Sequence, residues 1–179
     1  NIGSFSDGLA IVTKSDSLFY INMNGDIIID DFYRTYPNYL SKGEFNNGKA
    51  IVNKEGKYGI IDRNGDIVID FLYDNLGYSA NMVSFNSKNK WGLIDTSNQM
   101  LSSLKYQYID LFENGFAVAS LEDSIGMLND EGELAIPFSY KKINWLTGDY
   151  FKVFDGDKYA LFNGGEKLTE FEFNDIDLF

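Results

Sequence analysis

The sequence predicts an all-β fold of tandem antiparallel β-meander repeats, and three observations carry that prediction. Twelve Tyr and fifteen Phe stand against only two Pro, a composition suited to short pleated strands. The stretch Lys57 to Asp70 places Tyr58, Ile60 and Ile61 before Asn64-Gly65, and Ile67, Val68 and Ile69 after it, which reads as strand, turn, strand. Degenerate copies then fill the chain. Each closes its first strand on an Asn or Asp, at Asn22, Asp62, Asp95, Asn129 and Asn163, in steps of 40, 33, 34 and 34 residues, within the range of repeat architectures.

Taken in order, the first repeat (residues 1–44) has a strand Leu9 to Thr13, a turn through Ser15-Asp16-Ser17 and the unit at Leu18 to Asn22. The extra residues Tyr36 to Gly43 explain the longer first step as a loop insertion, read as a lid over neighbouring core, with partner contact the alternative because insertions in repeat proteins often sit on the binding face. The second repeat (45–82) is the most regular, with strands 49–53, 58–62 and 67–71 joined by Glu55-Gly56 and Asn64-Gly65. Its run Ile67-Val68-Ile69 does not alternate with polar residues, so both faces of that strand are expected to be covered. The third (83–111) is eroded, its turn being Ser97-Asn98-Gln99 and its next strand the weak Met100 to Leu104. The fourth (112–150) restores the pattern with Asn114-Gly115-Phe116 and ends near Trp145; the fifth (151–179) carries Phe151 to Phe154 and the hairpin Asn163-Gly164-Gly165-Glu166. No linker interrupts the series, so residues 1–179 are expected to form one domain in which no repeat is stable alone.

Two further regularities concern packing. The residue immediately before the apolar pair is small in four copies, Gly59, Gly92, Gly126 and Ala160, with Phe19 the exception; this suits close approach of a neighbouring backbone or ring. An aromatic follows each turn, at Tyr33, Tyr73, Tyr106, Tyr140 and Phe173, with Leu76, Ile109, Ile143 and Ile176 three residues beyond the last four, and is read as the side chain that plugs one repeat into the next. Ile2, Phe5 and Gly8 match Ile109, Phe112 and Gly115 in spacing, and Ile176 and Phe179 match them again. A chain that starts and stops in one phase favours a compact five-bladed propeller-like ring, with Phe5 and Phe179 as neighbours, over an open β-repeat array that would carry polar caps.

Lys57-Tyr58-Gly59-Ile60-Ile61-Asp62, Lys90-Trp91-Gly92-Leu93-Ile94-Asp95 and the upstream Asn47-Gly48-Lys49-Ala50-Ile51-Val52 resemble the bacterial WG (KWG) repeat family. The likeness covers essentially the whole chain, with the second and third copies the nearest and only Trp91-Gly92 keeping the literal dipeptide. It implies all-β tandem repeats and brings no catalytic residues.

The formal charge is −12, which disfavours nucleic acid and anionic membrane and favours a basic partner. Residues 1–90 hold 11 acidic and 9 basic side chains, a net −2, while residues 91–179 hold 16 and 6, a net −10. The docking candidates are accordingly Glu113, Glu122, Asp123, Glu131 and Asp177, with Trp145 as an exposed apolar anchor and Trp91 as core. No apolar run reaches the length of a membrane span. Histidine and cysteine are absent, removing the commonest general base and all thiolate ligands. Pairs such as Asp30-Asp31, Glu122-Asp123 and Asp130-Glu131 lack the apolar surround that tunes a catalytic acid, and Asp155-Gly156-Asp157 and Asn174 to Asp177 fall short of a calcium loop. The recurring Asx residues are read as turn starters.

The expectation is a monomeric, non-enzymatic protein-binding domain without cofactor or metal, its acidic side meeting a basic protein. An immunity protein that neutralises a toxin such as a nuclease fits, and would be cytoplasmic. The alternative is a cell-envelope or carbohydrate-binding module using Tyr36, Tyr39 and Trp145, for which a native signal peptide would be expected.

Overall fold

The computed structural model describes residues 2–14, 17–33, 43–79 and 82–177. Five antiparallel sheets follow one another along the chain, and no helix occurs among the described residues. The first contains β1 (Ile2–Ser6), β2 (Leu9–Lys14), β3 (Ser17–Asn22) and β4 (Ile27–Tyr33); the second, β5 (Lys49–Lys54), β6 (Lys57–Asp62) and β7 (Ile67–Tyr73). The third holds β8 (Asn75–Ser79), β9 (Met82–Ser87), β10 (Lys90–Asp95) and β11 (Met100–Tyr106). The fourth holds β12 (Tyr108–Ile109), β13 (Phe116–Leu121), β14 (Ser124–Asn129) and β15 (Leu134–Tyr140). The fifth holds β16 (Lys142–Thr147), β17 (Tyr150–Phe154), β18 (Tyr159–Asn163) and β19 (Glu166–Lys167). The eroded third repeat thus keeps a full meander. Sheet and sequence repeat are out of step, because the strand after each anchor aromatic, β8, β12 and β16, opens the following sheet.

The long turns owe their shape to the Asx residue more than to an Asn-Gly dipeptide. In Asp62 to Asp66, Oδ1 of Asp62 accepts from the backbone N–H of Asn64 and of Asp66, both at 2.9 Å, and Gly65 N–H donates to the Asp62 carbonyl at 3.0 Å. Only Gly65 has positive φ, at 90°; Asn64 does not, contrary to the two-residue turn the sequence suggested, since the carboxylate closes a longer loop. Asn22, Asp95 and Asn129 repeat the arrangement, with acceptor distances of 2.8–3.1 Å. Where the eroded copy lacks glycine, Asn98 takes φ 65°, a conformation that Asn tolerates. Asn129→Ala is expected to cost about 1–2 kcal/mol, the net worth of two hydrogen bonds, seen as a lower urea midpoint, whereas Asp130→Ala one residue on should change little.

Hydrophobic cores lie between sheets, not within them. Leu9, Leu18, Tyr20 and Ile29 of the first sheet pack on Ala50, Val52 and Ile61 of the second; Ile60 and Ile69 of the second on Leu76, Val83, Phe85 and Ile94 of the third. Met82, Leu93 and Tyr106 meet Ile109, Ala117, Ala119 and Leu128, and Met127 and Ile136 meet Ile143, Phe151, Val153, Ala160 and Phe162. Ile60 and Ile61 therefore serve opposite neighbours, as alternation along a strand requires. Three of the anchor aromatics join repeats: Tyr73 lies 4.9 Å from Phe85, Tyr106 5.6 Å from Phe138, and Tyr140 6.0 Å from Phe162; Phe173 instead pairs with Tyr159 of its own repeat. Cover on both faces of β7 fails at Ile67, which is 56% exposed while Ile69 is fully buried; Ile67 is the first residue of β7, at the end of the sheet directly after the Asp62–Asp66 turn.

Five sheets share four such cores, and among the described residues no core joins the first sheet to the fifth. Lys152 of β17 stands where β5 and β13 have Ile51 and Val118 facing the next sheet. Instead of a sixth sheet it meets a returning strap: its Nζ lies 2.7 Å from Asp175 and 3.3 Å from Asp177, while Phe173 pairs with Tyr159. Ile176 lies in that strap rather than opening a strand as Ile109 does; Phe179, expected beside Phe5, is outside the described residues. The hydrogen bond from Lys152, then that from the Ile176 N–H, holds the Asp175 carboxyl below its ordinary 3.8, and the same pairing raises Lys152. A lowered carboxyl contributes stability that is complete above its unfolded value and lost as pH falls through the folded one. Below pH 3.8 the strap should loosen first, read as lost amide protection at Phe173 while Ile60 stays protected.

Candidate functional site

Because the strands are antiparallel, successive turns alternate between two ends of every sheet. The Asx turns share one end with the turns at Asp7-Gly8, Asn47-Gly48, Asn114-Gly115 and Gly148-Asp149. Contacts between turns of neighbouring sheets tie that end together: Gly48 N–H donates to Asp7 Oδ2 at 2.7 Å and Asn114 Nδ2 to the Gly148 carbonyl at 3.4 Å. In and beside these turns lie Asp7, Asp26, Asp62, Asp66, Asp95, Glu113, Asp130, Glu131, Glu133, Asp149 and Glu166, with Lys49, Arg63 and Lys167 the cations there among the described residues.

The opposite end is balanced. Its turns carry Lys54, Lys57, Lys88, Lys90, Lys141, Lys142 and Lys158 beside Glu55, Asp74, Glu122, Asp123, Asp155 and Asp157, and several of these groups are paired. Lys57 meets Asp74 at 2.6 Å, lowering that carboxyl, with help from the Lys88 N–H. Asp155, weighed above as a calcium ligand, spends its oxygen on the N–H groups of Asp157 and Lys158 at 2.8 and 2.9 Å, which lower its pKa. The carboxyls shifted by their surroundings, Asp74, Asp155 and Asp175, all move downward.

The residues singled out from sequence are divided by this geometry. Glu113 and Glu131 lie at the Asx end. Glu122 and Asp123 form the β13–β14 turn at the other end, where their carbonyls accept from Gln107 and Lys141. Asp177 is bound to Lys152 in the strap. Trp145 is half-buried, its ring 4.9 Å from Phe151, so it is part of the fourth core as well as of a surface. Tyr36 and Tyr39 lie outside the described residues.

Sequence reasoning missed two cavities side by side on the first strands of the sheets. One, of about 470 Å³, is walled by Glu44, Asn46, Lys49, Ile51, Asn75 to Tyr78, Ser84, Trp91 and Ile109 to Leu111. The other, of about 380 Å³, is walled by Asp110, Leu111, Glu113, Phe116, Val118, Met127, Ile143 to Trp145 and Phe151. They share Asp110 and Leu111, and Leu111 is 70% exposed. The one legible sign was that both tryptophans of the chain fall three residues or fewer from small or polar residues of a strand; which strands would stand side by side was not readable.

Comparison with solved structures places this architecture among β-propellers. A eukaryotic initiation factor superposes with a TM-score of 0.54 at 11% identity, over 94% of this chain and 52% of that one. Hsv2 of Kluyvelomyces marxianus gives 0.50 at 15% identity, over 92% and 58%, and Hsv2 of Kluyveromyces lactis 0.49 at 13%, over 93% and 60%. The chain spans about three fifths of the length of the Hsv2 proteins, and at these identities the likeness is one of fold. No curated protein matches the sequence. Residues 42–58, 58–90 and 91–123 match the family described as WG containing repeat. Residues 42–123 are therefore tandem WG repeats, carried on propeller-type sheets.

Proposed function

We propose that this chain is a non-enzymatic protein-binding repeat domain that docks a basic protein surface on the Asx-turn end of its sheets. The observation that carries the reading is the distribution of charge over turns: among the described residues, eleven carboxylates against Lys49, Arg63 and Lys167 at one end, and near balance at the other. Each Asx turn needs an Asn or Asp to close it, and Glu131 and Glu133 accept from Asn129 Nδ2 at 3.3 Å, but the carboxyls of Asp66 and Asp130 are not required by that geometry, so the excess exceeds what turn formation demands. Like charges held together cost stability through self-repulsion, and a cationic partner relieves that cost while being steered by the same field.

The finer form of the proposal is an immunity protein whose partner is a basic toxin domain such as a nuclease, for which fast association matters most. The test is isolation of the partner with the intact chain as bait, followed by stopped-flow association over a series of salt concentrations. A basic partner whose association slows steeply with ionic strength supports the reading; an acidic or neutral partner, or a rate indifferent to salt, overturns it.

A further inference from the structure

The two cavities adjoin, with Asp110 and Leu111 common to their walls, and together are treated as one groove. Trp91 walls one side and Trp145 the other, with Asp110 and Leu111 between them. Leu111 is a large apolar side chain 70% exposed at a place where a folded chain gains nothing by showing it. The Trp145 cavity contains two carboxylates, Asp110 and Glu113, and no lysine or arginine in its wall. Asn144 stands in the same wall, and its Oδ1 is buried without a hydrogen-bond partner. An indole face beside carboxylates is a setting that favours a cation, through the ring quadrupole and the opposite charge together.

We propose that this groove seats an extended segment of a protein partner in which a lysine or arginine is flanked by apolar residues. The cation enters the Trp145 cavity between Asp110 and Glu113, and an apolar side chain crosses Leu111 into the Trp91 cavity, which is lined by Leu76, Ile109 and Tyr78. The inference rests on the protein-binding reading above and adds the chemistry of the recognised segment. An acidic or phosphorylated segment would meet Glu44, Asp110 and Glu113 with the wrong sign, and a purely apolar one would leave both carboxylates of the Trp145 cavity unanswered.

The chain's two tryptophans both line the groove and serve as its reporters. The probe is an acetylated, amidated hexapeptide of alternating Lys and Phe, added to the intact chain with excitation selective for tryptophan; Trp91→Phe and Trp145→Phe variants resolve the two emissions. The expected result is saturable change of both tryptophans with a single dissociation constant. That constant should weaken at least fivefold in Leu111→Ser, whose exposed side chain is not needed for folding, and at least tenfold in the isosteric double variant Asp110→Asn/Glu113→Gln. A Glu/Phe or a Lys/Ser hexapeptide should bind at least tenfold more weakly. The proposal is overturned if no saturable change appears up to millimolar peptide, if the Glu/Phe peptide binds equally well, or if Leu111→Ser and the double variant leave binding unchanged. Should a tryptophan variant fail to fold, the Leu111 and carboxylate arms still decide the question in the parent chain. Reversing Asp66, Asp130 and Glu166, which do not line the groove, leaves hexapeptide binding within twofold even where it slows the whole partner, so this inference and the broader reading fail separately.

Discussion

Gly126→Val is expected to destabilise the chain by about 3 kcal/mol, at the upper end of the cost of overpacking, with no loss from any Asx turn. A Cβ at Gly126 would lie 2.8 Å from the Ile136 carbonyl oxygen and 2.8 Å from the Phe138 ring. Neither can retreat readily. The β14–β15 register shifts across this residue, between Ile125 and Met127, and again just beyond it, between Met127 and Leu128; Phe138 in turn packs on Tyr106 of the preceding sheet. Gly59 meets Ile69 O at 2.7 Å and the Phe71 ring at 2.9 Å, and Gly92 meets Phe85 at 2.6 Å, so Gly59→Val and Gly92→Val should behave alike. Gly3→Ala is the contrast: its Cβ would have nothing nearer than 3.5 Å, and the lost backbone freedom of the unfolded chain makes it neutral or slightly stabilising. Urea denaturation followed by circular dichroism decides the matter, and a Gly126→Val midpoint equal to that of the parent would show the close approach to be soft. The first copy escapes the rule by sequence: it places the aromatic at Phe19 itself and Asp31 at the position that Phe71 and Phe138 occupy.

Reversal of Asp66, Asp130, Asp149 and Glu166 to lysine should slow association with the basic partner at least tenfold at low salt, because steering accounts for gains of roughly that size or more. The same number of reversals at Glu55, Glu122, Asp123 and Asp157, on the opposite end, should change the rate less than threefold. Both sets lie on exposed turns, so stability should shift little in either. The contrast between the sets should shrink as salt rises, since exposed charges are screened beyond about 8 Å at physiological ionic strength. Equal slowing by the two sets would mean that net charge alone matters and that neither end is the docking surface.

The comparison of these two sets differs from what a division of the sequence suggests. Counting charge by halves assigns the acidity to residues 91–179 and groups Glu113, Glu122, Asp123, Glu131 and Asp177 together. In the folded chain Glu113 and Glu122 are separated by the length of β13, a single strand of six residues, and so lie at opposite ends of a sheet, whereas Asp66 and Asp130, 64 positions apart in the sequence, share one end.

What the sequence determined by itself was everything that local hydrogen bonding and periodicity control. The five copies, the all-β class, the Asx turns, the small residue at Gly59, Gly92 and Gly126, and the aromatics that join one repeat to the next were each legible, because each depends on residues within one unit or on its nearest copy. Which strands stand beside one another is settled only in the folded chain. Strands β8, β12 and β16 cross into the following sheet; Lys152 finds Asp175 and Asp177 where its counterparts find an apolar neighbour; Trp91 and Trp145 come to flank Leu111. None of these leaves a periodic trace, since strand direction reverses at every turn and sends residues eight or nine apart to opposite ends while bringing residues 33 to 40 apart to the same one. A one-dimensional window averages the two ends, and only the folded sheets separate them.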